Sequence, residues 1–318
     1  MKTVGFPISR KENECRRALI PQDVKKLKAP SQLYIESGYG AVLGYADADY
    51  ERYGCHITDF AGALACDIIC DPKVGDEDFL NNLRPGQIVF GWVHAVQNRD
   101  ITDAIVNNGA TAYCWEDMFE SGRHVFWRNN EIAGEAAIIH AFQCWGRMPY
   151  DCNVALIGRG NVARGALKIL DKLGARVTVY DRRTEKRFQQ ELGNYDVLVN
   201  AILWDTSRKD HIVYREDMKR LRPNSLIIDI SCDPHGGIET SRGTTIEDPI
   251  YEVDGIIHYA VDHTPALFYK TVSDSLSAEV VKYLDQLIEA QPGQVLQECL
   301  IIENGTILDQ RIIKHQNR

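Results

Sequence analysis

The segment VALIGRGNVARGALKIL, residues 154–170, constrains this chain more than any other, because it reads as a strand, a glycine turn and a helix in direct succession. In that order Gly158 permits the tight turn at the strand end, Gly160 lets the backbone approach a ligand closely, and Ala163 is the small residue where helix meets strand. Asn161 and Val162 open the helix, whose first N–H groups and dipole suit phosphate. A second apolar run, VTVYD, ends at Asp181, 23 positions after Gly158 (181 − 158 = 23). That is where an acidic residue holds the ribose hydroxyls of a dinucleotide. Asp181 favours NAD, whereas Arg182 and Arg183 directly after it are suited to the 2′-phosphate of NADP. On these residues alone both cofactors stay open.

The rest of the chain fits around this unit. Before it, short apolar runs at 4–8, 32–37, 67–72, 87–93 and 111–115 read as strands, with helical stretches at 21–28, DEDFLNNL and RDITDAIVNN between them. A long helix pattern at 131–145 follows. Strand runs then resume at 153–158, 177–181, 197–203 and 226–231. Such alternation predicts parallel sheets with helices on their faces. The expected fold class is α/β, with two Rossmann-like doubly wound parallel-sheet domains and a catalytic cleft between them. The substrate domain takes residues 1–130 plus 268–318, and the cofactor domain takes 131–267. The closing helix, SDSLSAEVVKYLDQLIEA, is expected to return to the first domain. The Asn-Gly pair in LIIENGTILD predicts a terminal hairpin.

Composition removes several classes of function. A formal net charge of -9 and the lack of a dense Lys/Arg block argue against nucleic acid as a partner. The nine cysteines include no CxxC pair, which suits reduced thiols and neither a disulfide framework nor a metal site. Cys66 and Cys70 lie in an apolar strand and read as core residues. The N-terminus MKTVGFPISRKENE lacks the apolar stretch of a signal peptide, and no apolar run approaches the ~20 residues of a membrane span. The expectation is a cytoplasmic protein with no membrane partner and no metal, acting on small molecules, as a homo-oligomer.

Candidate chemistry lies ahead of the glycine turn. Lys73 ends the run DIICDPK and His94 ends VFGWVH, so both stand at the carboxyl ends of predicted parallel strands, where α/β folds place ligands. A lysine and a histidine can move protons between carbinolamine, water and amine. Arg16 and Arg17 lie beside a helix start, one placed for a substrate carboxylate and the other for solvent. Glu116 ends the strand TAYCW. It is suited either to a cationic amine or, as a helix-start carboxylate, to the helix dipole.

Taken in order, E-x-R-R-A-L-x-P, Lys73, WVH, GRGNVARGA, CDPHGGIET and VDGIIHYAVDHTP resemble the alanine dehydrogenase / saccharopine dehydrogenase / transhydrogenase superfamily. GWVHAVQNRDITD, CWEDMF, GRHVFWRNNE and LWDTSRKDHI are similar to its opine-forming, N-(carboxyethyl) amino-acid branch, over essentially the whole chain. The resemblance implies that Arg16 binds the carboxylate of a 2-oxo acid and that Lys73 and His94 form the proton-transfer pair. It places Asp233 near the nicotinamide and implies NADPH as cofactor. At His263 the chain departs from alanine dehydrogenases, which have asparagine there. The implied reaction is reduction by NADPH of the imine between pyruvate and the side-chain amine of ornithine or lysine. An alanine or saccharopine dehydrogenase activity is the alternative of like chemistry, and a non-catalytic NADPH-binding regulator is the alternative of another class.

Overall fold

The structure, a computed structural model, describes residues 1–318 except 206, 207 and 234. It is α/β, with two mixed and mostly parallel sheets. The chain divides into two compact units, Met1–Phe126 together with Tyr269–Arg318, and Trp127–Phe268.

The first unit carries strands β1 (Val4–Phe6), β2 (Leu33–Glu36), β3 (His56–Thr58), β4 (Ile68–Cys70), β5 (Ile88–Gly91) and β6 (Thr111–Cys114). A small antiparallel ribbon follows, β7 (Phe119–Glu120) and β8 (Arg123–His124). The second unit contains β9 (Asn153–Ile157), β10 (Arg176–Tyr180), β11 (Val197–Asn200), β12 (Leu226–Asp229), β13 (Ile250–Val253) and β14 (Ile256–Tyr259). The chain returns to the first unit, which adds β15 (Leu300–Glu303) and β16 (Thr306–Ile307) ahead of a last helix, Gln310–Gln316.

The first sheet runs β16-β15-β6-β5-β4-β1-β2-β3, and β1 to β6 are parallel. Its parallel part is the doubly wound order, which reverses between β1 and β4 and opens a crevice at their carboxyl ends. β4, β5 and β6 are buried along their whole length, as strands covered on both faces must be. In the second unit the order is β10-β9-β11-β12-β14-β13, with only β13 antiparallel.

Some elements differ from the sequence expectation. The helix expected over 21–28 is the single turn Pro21–Val24, and DEDFLNNL holds only the 3₁₀ turn Asp78–Asn82. Around the first, tertiary bonds replace helical ones: Ser277 Oγ donates to Asp23 at 2.7 Å and accepts from the Ile20 N–H at 3.0 Å. β3 and the β13–β14 hairpin lie outside the runs read as strands. The hairpin turn is Asp254-Gly255, both residues left-handed (φ 51° and 81°), the same chemistry as Asn304-Gly305 between β15 and β16.

The helix Asn161–Lys172 is fixed by a glycine contact with the helix Trp127–Trp145. A Cβ on Gly134 would lie 2.0 Å from the Val162 carbonyl oxygen, and one on Gly165 would lie 1.9 Å from that of Glu131. Side chains at these two positions therefore force the helices apart. Gly165→Ala is expected to destabilise the protein by about 1–3 kcal/mol, checked by urea denaturation. A variant as stable as the parent would mean that the helices separate at no cost.

Candidate active site and cofactor turn

Lys73 and His94 follow the neighbouring strands β4 and β5, which are in register through Cys70 and Phe90. The loop after β4 is fastened to the end of β5. Trp92 N–H donates to the Pro72 carbonyl at 3.4 Å, and Gly75 N–H donates to the Trp92 carbonyl at 3.0 Å. Two glycines make the approach possible, since a Cβ on Gly75 would meet the Val93 oxygen at 2.2 Å and one on Gly91 the Asp71 oxygen at 1.9 Å. The spacing of the two side chains is thus built into backbone contacts.

Lys73 is buried, and its Nζ lies 2.9 Å from Asp76 Oδ2. Burial alone would raise the Asp76 carboxyl, but Lys73 and Lys11 hold it below the usual range. His94 adopts a left-handed backbone, φ 54°, uncommon for a non-glycine residue and costing on the order of 1 kcal/mol. Glu116 stabilises that conformation: its Oε1 accepts the His94 backbone N–H at 2.5 Å and lies 3.2 Å from Nδ1, and its Oε2 accepts the Val93 N–H at 3.3 Å. The Cys114 thiol also donates to Oε2. Glu116, expected either to meet a substrate ammonium or to sit at a helix start, is placed on the imidazole of His94 and opens only the short 3₁₀ turn Trp115–Asp117.

Arg16 is buried, with its guanidinium 5.3 Å from the Trp92 ring and paired with Glu14 through Nε (2.8 Å) and Nη2 (2.5 Å). Burial would raise the Glu14 carboxyl, and the charge and hydrogen bonds of Arg16 outweigh it, holding the group low. One of the two arginines was expected in solvent, yet Arg17 is equally buried. Its Nε donates to the Tyr39 carbonyl at 2.6 Å, and its N–H to Ser273 Oγ at 2.8 Å. Asp71 escapes a reading of residue types. It is fully buried, Oδ1 accepts the Lys73 N–H at 2.7 Å, and Oδ2 has no partner. Burial and the nearby Glu77 push its carboxyl well up.

In the second unit, Gly158 has φ 129°, and a Cβ there would lie 2.5 Å from the Ala201 oxygen, whereas the space around Gly160 is open. Gly160 precedes the helix of Asn161, Val162 and the buried Ala163. A cavity of about 260 Å³ is lined by this turn, by Asp181 and Arg182, and by Trp204 and Arg208. Asp181 Oδ2 accepts from Arg159 Nε at 2.7 Å, and Oδ1 from the Arg183 backbone N–H at 3.0 Å. The Arg159 bond holds the Asp181 carboxyl below its ordinary range. Arg182 belongs to the cavity wall and Arg183 does not. Arg159 and Arg208 lie in quoted motifs, but the sequence reading assigns them no role. Arg208 stands 4.6 Å over the Trp204 ring and pairs with Glu185 at 3.0 Å and Asp210 at 2.8 Å.

Asp233 follows β12, and burial together with the like charge of Asp229 pushes its carboxyl up to about 6. His263 is buried with Nδ1 on the Asp262 carboxylate, and its Nε2 has no partner. The open glycine turn, the helix start behind it and the arginines in the wall beside Asp181 fit a dinucleotide. Among the described residues no cluster of His, Cys, Asp and Glu is arranged for a metal ion, and no helix is long and apolar enough to cross a membrane.

Comparison with known proteins places this geometry. Residues 5–127 match the alanine dehydrogenase/PNT N-terminal domain, and residues 182–316 match the C-terminal domain of the same name. An N(5)-(carboxyethyl)ornithine synthase of Clostridium botulinum is 32% identical over 314 residues, 91% of this chain and 98% of that one. The chain belongs to the alanine dehydrogenase/PNT family. Like other members of this family it is an NAD(P)-binding, Rossmann-like oxidoreductase. An N(5)-(carboxyethyl)ornithine synthase of Lactococcus lactis subsp. lactis is 31% identical, covering 86% of this chain and 92% of that one. Alanine dehydrogenase 1 of Staphylococcus aureus is 25% identical over 96% of this chain and 93% of that one. The fold is that of an L-alanine dehydrogenase structure, with a TM-score of 0.83, 20% identity and 99% of both chains covered. The transhydrogenase of Sinorhizobium meliloti follows at 0.78 and 20% identity, over 96% of this chain and 99% of that one. The glycine turn and Asp181 lie between the two domain matches, so their assignment rests on their own geometry.

Proposed function

We propose that this chain joins pyruvate to the side-chain amine of ornithine or lysine and reduces the product with NADPH to an N-(1-carboxyethyl) amino acid. The observation that carries the reading is the near-full-length likeness to two N(5)-(carboxyethyl)ornithine synthases. The buried Arg16 and Lys73 and the half-buried His94, all in the first unit, agree with it. In balance, the ammonium form of the amine, pyruvate, NADPH and one proton give the secondary ammonium product, NADP⁺ and water. Bound NADPH supplies the hydride for the imine carbon.

The protein's own part is binding and proton handling. Arg16, oriented by Glu14, holds the pyruvate carboxylate. His94 accepts the proton that the amine must lose before attack, and Lys73 supplies one to the carbinolamine oxygen as it leaves as water. Glu116 acts through His94, keeping Nδ1 occupied and the ring oriented. Asp233 serves from the cofactor side.

A mass spectrum of the product from pyruvate, NADPH and a mixture of ornithine, lysine and ammonia tests the reading. The expected products are carboxyethyl adducts of a diamino acid, with ornithine and lysine separated by mass. Alanine alone would replace the proposal with an alanine dehydrogenase activity, to which the 25% likeness to the Staphylococcus aureus enzyme points.

A further inference from the structure

The second unit contains another cavity, of about 510 Å³, at the end of its sheet opposite the glycine turn. Its wall shares no residue with the cofactor cavity. It is built by segments that lead into strands: Trp145 to Arg147 ahead of β9, Asp196 ahead of β11, and Arg222 to Ser225 ahead of β12. The last is a tight turn with Pro223 second and the left-handed Asn224 (φ 62°) third, closed by Ser225 N–H donating to the Arg222 carbonyl at 3.0 Å. Proline and asparagine are the residues such a turn demands at those places.

Three features of the wall point to a ligand. Ser225 is 3% exposed, and its hydroxyl has no hydrogen-bond partner, a state that buried polar groups rarely tolerate. Arg147 lies with its guanidinium 5.3 Å from the Trp145 ring, and among the described residues no carboxylate pairs with it. Arg222 is the second guanidinium and pairs with Asp196 at 2.7 Å. The other Asp196 oxygen accepts the Asn153 N–H at 2.9 Å, so that carboxylate is committed to the fold. Two guanidiniums against one carboxylate leave the wall with a positive excess. A guanidinium packed against an indole keeps its N–H groups available to an oxyanion. The carbonyl end of the helix Trp127–Trp145 opposes anion binding here, and the paired Arg222 alone does not outweigh it. Arg147 supplies the further charge.

We propose that this cavity binds a small oxyanion, a carboxylate or a phosphate group, held by Arg147 and Ser225 with Arg222 at its edge. The site is separate from the dinucleotide turn and is independent of which amine the enzyme uses.

The test is calorimetric titration of the whole chain, saturated with NADPH so that the glycine turn is filled, with inorganic phosphate and with acetate at constant ionic strength. Saturable uptake of either anion at one site per chain is expected, and the anion that binds names the source. Arg147→Ala and Ser225→Ala should each weaken that uptake roughly 10-fold or more, the loss of one charge-assisted or buried hydrogen bond. NADPH affinity and the melting temperature without added anion should stay at the parent values. Should neither anion bind saturably, or should both variants bind as the parent does, the proposal is overturned. The second of these results would mean an adventitious ion only.

Discussion

Turnover falls by about 100-fold or more when Lys73 is replaced by Met or His94 by Gln, with NADPH affinity nearly unchanged. The expectation rests on where the two groups are held. Each follows a fully buried strand, and the loop bearing Lys73 is fastened to the strand end that bears His94 by two backbone hydrogen bonds. Neither side chain lies in the unit that carries the glycine turn, so the cofactor site should not register the change. Because His94 is left-handed, backbone strain is a second explanation for a loss on substitution, and His94→Asn separates the two. Asparagine accepts positive φ more readily than most residues. A strain effect would therefore be largely absent in the Asn variant, whereas loss of the imidazole would leave both variants equally slow. Steady-state rates across pH decide it. Near-parent rates for the Lys73 variant, or recovery in His94→Asn, would remove that side chain from the chemistry.

Much of this arrangement is legible in the residues, and the reason is local. The glycine turn, its helix and the strands ahead of Lys73 and His94 are each specified by a contiguous stretch, so periodicity and turn chemistry find them. The Asn304-Gly305 hairpin is of the same kind. What the sequence conceals is pairing over distance. Arg17 and Ser273 lie 256 positions apart, and nothing in the run CRRAL distinguishes the arginine bonded to the serine from the one paired with Glu14. Asp71 reads as one carboxylate among many, because its complete burial arises only when β4 is enclosed between β1 and β5. The role of Glu116 was hidden for a related reason. Its partner is 22 positions back, at the end of the neighbouring strand β5, and that strand's register is needed to see it. Arg159 was present in the quoted turn, but only the approach of β9 to β10 places it on Asp181.

That last contact leads to the second large effect. An aspartate at the end of the second strand ordinarily accepts the adenosine ribose hydroxyls and repels a 2′-phosphate. Here Asp181 has one oxygen on Arg159 and the other on the Arg183 backbone, which neutralises its charge and leaves little capacity for ribose. Arg182 lines the cavity beside it, while the Arg183 side chain does not. Arg182→Ala is therefore expected to raise the Michaelis constant for NADPH roughly 10-fold or more, the loss of a charge-assisted contact, and to leave that for NADH nearly unchanged. Arg183→Ala should have little effect on either. Arg159→Ala acts differently, because it releases the Asp181 carboxylate. Its charge then faces the phosphate, and its oxygens become available to ribose hydroxyls, so NADPH should weaken while NADH improves. The two variants are distinguished by the NADH constant, flat in one and falling in the other. The NADPH effects should shrink at high salt, since they act through exposed charge. Equal losses for both cofactors in Arg182→Ala would mean that the arginine supports the turn and does not read the phosphate. An NADH constant unmoved in Arg159→Ala would mean that Asp181 takes no part in ribose recognition, with or without its arginine.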